Sequence, residues 1–153
     1  MEDKIYEAQM QMIKILIANT SSAMKISKIM CEHSNTDVLT GDHIICGLVY
    51  RLMVPMTDEE IRESLGLADD IMYGSSSDDD NDDNDDNIDI VEDNDSITER
   101  RRGKVQINDC ECDVCKKIRE CMINFNNYTP NDELGDKFKN SINVTCNTYN
   151  RYI

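Results

Sequence analysis

The sequence predicts a mainly α protein, made of two short helical modules on either side of an acidic linker. Three observations predict it. Apolar residues recur at steps of three and four through much of residues 4–71, as helices with one buried face require. Helix-starting residues stand before those runs, with Thr40 and the Thr57-Asp58-Glu59-Glu60 box as the clearest. Between Ser75 and Glu99 lie 12 acidic residues and no Lys or Arg, a composition that cannot bury enough apolar surface to offset the entropy of ordering it. The expected organisation is a helical module over 1–74, a disordered acidic linker over 75–104 ending in a basic patch, and a small helical Cys-rich module over 105–153.

Residues 4–34 read as helix, with Ile5, Met12, Ile15, Leu16, Ala23, Ile26 and Met30 on a wide stripe. Asn19-Thr20-Ser21-Ser22 can bond its own backbone and weaken a helix interior, so one long helix and two shorter ones both fit. Ser34-Asn35-Thr36-Asp37 forms a turn, and Val38-Leu39 suits a short extended piece. Thr40 then caps a helix that buries Ile44, Ile45, Leu48, Val49 and Leu52, with Asp42 in the favourable first turn and Pro55 as its stop. A further helix from Thr57 carries Ile61, Leu65 and Ile71, with Gly66 as its weak point.

From Glu32 to Arg51 the pattern Glu32-His33, short loop, Val38-Leu39, Thr40-x-x-His43-Ile44-Ile45-x-Gly47-Leu48 and Arg51 resembles the histone fold. The likeness spans residues 7–53, matching the end of the central helix, the second loop and the third helix. It implies a handshake dimer with a histone-fold partner or with a second copy. Val38, Leu39, Thr40, His43, Ile44, Leu48 and Arg51 are the implied interaction residues. Asp37 and Asp42 stand where DNA-wrapping histones carry bases, and the first helix of that fold is missing or very short. A plain helical hairpin with capped ends is the alternative.

Charge is uneven. Residues 1–74 sum to −6, residues 75–99 to −12 and residues 100–153 to +3, within a total of −15. That balance argues against direct, sequence-independent DNA binding, which needs Lys and Arg to displace counterions. It favours basic proteins such as histones as partners. Asp78, Asp79, Asp80, Asp82, Asp83, Asp85 and Asp86 form the densest part of the expected docking arm. A purely solvating spacer is the alternative, although Ile88, Ile90 and Val91 sit inside the acid field.

The last module packs Cys110-x-Cys112-x2-Cys115-x5-Cys121 into twelve residues, a density that points to Zn²⁺ in a reducing compartment. Residues 114–126 read as helix, which would set Cys115 and Cys121 about 120° apart around it. Distant Cys146 is therefore a further candidate ligand, and buried core thiols are the competing role for Cys115 and Cys121. Cys31-x-His33-x9-His43-x2-Cys46 is a second, less usual candidate set. Tyr128 to Glu133 forms a turn before a helix with Leu134, Phe138 and Ile142 inward.

No Gly-rich phosphate loop, G-x-S-x-G or H-E-x-x-H motif occurs, and with two His the supply of general bases is thin. The expectation is a non-enzymatic interaction protein associated with chromatin or transcription. A zinc-binding adaptor and a viral structural or packaging protein are the alternatives. The Asn-, Ile- and Asp-rich composition resembles that of proteins of large nucleocytoplasmic DNA viruses, which would place the chain in a virion or in the host nucleus or cytoplasm. The Met1-Glu2-Asp3-Lys4 start lacks a signal peptide's basic region, so nuclear or cytoplasmic location, with no secretion and no membrane anchoring, is expected.

Overall fold

A computed structural model describes residues 1–74 and 102–153; the densest acids, Asp78 to Asp86, lie outside the described residues, as do Arg100 and Arg101. The fold is mainly helical, as predicted. In chain order it contains α1 (Glu2–His33), α2 (Gly41–Met53), α3 (Asp58–Tyr73), β1 (Gly103–Lys104), α4 (Asp113–Asn124), a 3₁₀ turn (Phe125–Asn127), α5 (Glu133–Thr148) and β2 (Arg151–Tyr152).

The polar stretch inside α1 does not break it. Asn19 Nδ2 donates to the Ile15 carbonyl at 3.1 Å and Thr20 Oγ1 to that of Leu16 at 2.9 Å. Each side chain thus bonds back into the preceding turn and leaves the ladder intact. α2 begins with Thr40, whose hydroxyl accepts from the His43 N–H while His43 Nδ1 accepts from the Thr40 N–H at 3.1 Å. An imidazole therefore plays the part that Glu or Gln usually plays in a capping box. At α3 the Thr57 hydroxyl accepts from Glu60 N–H, but the Glu60 carboxylate turns to Arg51 Nη1 at 3.0 Å.

α1 packs on α2 and α3, and α2 also packs on α4 and α5. One core spans both described segments. Met30, Ile45, Cys46 and Val49 come from the first, and Val105, Ile118, Cys121, Met122, Phe125, Ile142 and Cys146 from the second. Pooling the two sets gives a larger core than either short segment supplies alone.

The sequence offered no sign of the small parallel pairing of β1 with β2, where Gly103 faces Arg151 and Lys104 faces Tyr152. Asn150, at φ 53°, takes the left-handed conformation that Asn tolerates and turns the chain from α5 into β2. Asp42 ties the strands to α2. It accepts from Arg151 Nε at 3.0 Å, from Arg151 Nη2 at 2.6 Å and from the Gln106 N–H at 3.0 Å.

α1 and α2 come close together at Gly47, where an added Cβ would lie 2.0 Å from Ser27 Oγ and 2.4 Å from the Ala23 carbonyl oxygen. The Ser27 hydroxyl already donates to that carbonyl, so neither group has room to retreat. Gly47→Ala should cost about 1–3 kcal/mol by overpacking. Urea unfolding followed by circular dichroism checks this; an unchanged midpoint would mean the helices are not in close contact there.

Candidate metal centre

Four ligand atoms from distant parts of the chain meet at one corner of the molecule. His33 Nδ1, Cys110 Sγ, Cys112 Sγ and Cys115 Sγ all lie within 4.8 Å of one another. His33 is the last residue of α1, where the chain turns into the 34–40 loop. Cys110 lies in the extended run before α4, Cys112 is the N-cap of α4, and Cys115 sits one turn in.

The imidazole nitrogen stands 3.1 Å from Cys112 Sγ, 3.4 Å from Cys110 Sγ and 3.4 Å from Cys115 Sγ. One ring nitrogen has a single lone pair or a single N–H, so hydrogen bonding cannot account for three such approaches together. A common metal ion would require such a convergence. Tetrahedral Zn²⁺, with bonds near 2.3 Å to sulfur and 2.0–2.1 Å to nitrogen, requires N···S edges of about 3.5 Å. The residues lie close enough to hold a metal ion, and the donor set of three thiolates and one imidazole is compatible with zinc.

The surroundings prepare these donors. The Cys115 N–H donates to Cys112 Sγ at 3.4 Å and is the largest influence pulling the Cys112 thiol down to about 6. Side-chain contacts with Cys115, Cys110 and His33 act the same way, against an opposing effect of burial. Burial pushes the Cys115 thiol up to about 11, partly offset by the Asn108 amide that donates to it at 3.3 Å. The same amide group donates to the Met30 carbonyl at 3.3 Å, and Arg119 Nη1 donates to the Asn108 carbonyl at 3.0 Å. Supporting contacts of this kind fix the orientation of metal ligands. A groove of about 600 Å³ lined by Met30, His33, His43, Asn108 and Cys110 opens beside the cluster and offers an entry path.

Of the five cysteines read as candidate ligands, three come together here. Cys121 and Cys146 belong to the hydrophobic core instead. The other sequence-level set does not assemble: Cys31 Sγ donates to the Thr36 carbonyl, His43 caps α2, and Cys46 is fully buried. His33 was paired with the wrong sequence neighbours, since nothing in the local spacing reports a contact with residues nearly eighty positions away.

The residues read for partner contact are dispersed. Val38 and Leu39 are exposed, while Thr40 and His43 are used in the α2 cap. Ile44 and Leu48 are half-buried. Arg51 is internal, bonded to Ser22 Oγ at 2.7 Å and to the Val54 carbonyl at 2.8 Å. Among the described residues no helix is long and apolar enough to cross a membrane. Comparison with known proteins finds no matching family model, no matching characterised protein and no matching solved structure.

The thiolate is the reactive form of cysteine, so lower-pKa thiols alkylate first. In metal-free protein at pH 7, iodoacetamide should modify Cys112 well before Cys115, and before Cys46, which burial first and then Asp42 and Cys146 push up to about 12. Peptide mass mapping over a time course checks the order. Simultaneous modification of all three would refute these environments.

Proposed function

We propose that this chain is a non-enzymatic interaction protein whose two helical halves are joined by a structural Zn²⁺ held by His33, Cys110, Cys112 and Cys115. The convergence of His33 Nδ1 on three cysteine sulfurs carries this reading. Soft thiolates exclude Ca²⁺ and Mg²⁺, which take oxygen ligands, and four protein donors leave no open position for a reacting water. The ion's role is therefore mechanical: it pins the end of α1 to the start of α4. Zinc thiolates suit a reducing compartment, the nucleus or the cytoplasm. The acidic run at residues 75–99, with its −12 charge, is the arm for basic partners such as histones.

A second reading, dimerisation through a histone-fold-like handshake, is favoured by one observation. Val38 and Leu39 stand 65% and 40% exposed in the loop between α1 and α2, where a partner's loop would pair. Sedimentation of the full chain separates the readings, because the zinc reading holds for a monomer and the handshake does not.

Purified full chain should carry one zinc ion, measured by metal analysis of the native protein. His33→Ala and Cys112→Ser should lose it, whereas Cys121→Ser, a core position, should retain it. Stripping with chelator should lower the melting temperature by on the order of 10 °C, since structural zinc supplies several kcal/mol of folding free energy. A chain that melts identically with and without chelator, and holds no zinc, sinks the proposal.

A further inference from the structure

We infer that the metal corner is also an oxidation switch, in which hydrogen peroxide joins Cys112 to Cys115 in a disulfide, releasing the zinc and freeing His33. The inference rests on the zinc reading above and adds regulation to that same site.

Exposure and spacing single out the pair. Cys110 and Cys112 are half-exposed, and a groove lined by His33 and Cys110 opens beside them, so a molecule as small as peroxide reaches them. Cys115 is buried, with its sulfur within 4.8 Å of both others. A disulfide requires Cα atoms roughly 4.4–6.8 Å apart, most often about 5.5–6 Å. Cys112 is the N-cap of α4, and Cys115 follows three residues later in its first turn. Helical rise and radius put such Cα atoms about 5 Å apart. Cys110 and Cys112 are two residues apart outside the helix, where an extended step spans about 6.6 Å, at the far edge of that range. The Cys115 N–H already donates to Cys112 Sγ at 3.4 Å, so the Cys112 side chain is turned back onto the turn that carries Cys115.

The chemistry balances within the pair. A sulfur that ligates zinc is a thiolate, and three thiolates outweigh Zn²⁺ by one charge. Thiolate character and exposure together set susceptibility to oxidation. The Cys112 sulfur attacks one peroxide oxygen and the O–O bond breaks. With one proton taken up, the products are Cys112 sulfenic acid and water. The Cys115 thiolate then attacks the Cys112 sulfur, its S–O bond breaks, and the departing hydroxide takes a second proton to become water. Two thiolates thus give two electrons to one peroxide. Cys110 and His33 are left as the only donors, too few for a structural zinc site. A thiol reductant reverses the bond by exchange.

Release is local. Asp42 still holds Arg151 and the Gln106 N–H, and Met30, Val49, Ile118 and Phe125 still share one core. Cys46, Cys121 and Cys146 are at most 5% exposed and stay out of the reaction. The end of α1 therefore loses its pin while the fold persists.

The test treats the zinc-loaded full chain with hydrogen peroxide and follows free zinc with a chromogenic chelator. Proteolysis before Asp113 separates Cys112 from Cys115, so mass spectrometry finds the two peptides together only if a disulfide joins them. One equivalent of zinc should be released, with Cys112 linked to Cys115 and Cys110 still open to alkylation. Helical circular dichroism should be largely kept, and zinc should rebind after treatment with dithiothreitol. Cys121→Ser, a core substitution, should release zinc as the wild type does. Zinc retained through the peroxide treatment overturns the inference. So does a disulfide through Cys110, or sulfinic acid at Cys112 with no linked peptide. A chain that holds no zinc before peroxide is added defeats the metal reading itself, and this inference with it, at an earlier and separate step.

Discussion

Asp42 is the constraint on which the arrangement of the two halves depends. It stands in the first turn of α2, where the helix dipole already favours a carboxylate, and is almost wholly buried. A buried carboxylate needs partners for both oxygens. One partner is the Gln106 N–H, just before the cysteine run, and the other is the Arg151 guanidinium near the end of the chain. Bidentate Arg–carboxylate pairing adds direction as well as energy. A single side chain from the first segment thereby sets where the second segment enters and leaves the core. Cys110 and Cys112 follow Gln106 closely in the chain, so the anchor also limits where they can sit.

The seven cysteines divide by environment. Cys46, Cys121 and Cys146 act as small apolar side chains in the core, and burial raises the pKa of all three thiols. Cys110 and Cys112 are half-exposed beside a histidine, and Cys115 is buried but turned toward them. The distinction follows from position along α4. Cys115, Ile118, Cys121 and Met122 all face inward, but Cys115 is in the first turn, next to the cap residue Cys112. Core cysteines hold their sulfur as a protonated thiol; Cys112, at the helix start, has the Cys115 N–H aimed at it and becomes a thiolate more readily. The same helix thus supplies a core and a metal corner with one residue type.

Much of the fold was legible in the sequence because it rests on local rules. Periodicity gave the helices, Thr40 and Thr57 gave their starts, and Pro55 the end of one. The 34–40 turn followed from Ser34-Asn35-Thr36-Asp37, with Asn35 now seen at φ 54°. The integrity of α1 was undecidable because Asn19 and Thr20 can bond either to a competing turn or to the i−4 carbonyl, and only the formed helix selects. The β1–β2 pairing escaped because two-residue strands have no period. As for the cluster, C-x-C-x2-C marked its three cysteines, but the histidine that joins them required knowing how the first segment packs on α4. That packing is a tertiary fact: Val49 and Ile118 are each apolar on an inward face, and nothing local says they belong to one core.

The two ends of α1 differ. His33 ends the helix beside Cys110, Cys112 and Cys115, and several apolar residues from Ile5 to Leu16 are exposed at its start. A helix of this length would fray in isolation at the end that packs least. Three contacts resist that here: the Arg51–Ser22 bond, the Lys14–Asp69 pair and, at the far end, the ligand set around His33. A cation at His33 would fix the end of the same rod, so loss of metal should be felt along α1 as softening more than as a change of shape. Within the polar interruption, Ser22 supplies the hydroxyl that Arg51 reaches across from α2, while Asn19 and Thr20 bond back into their own helix.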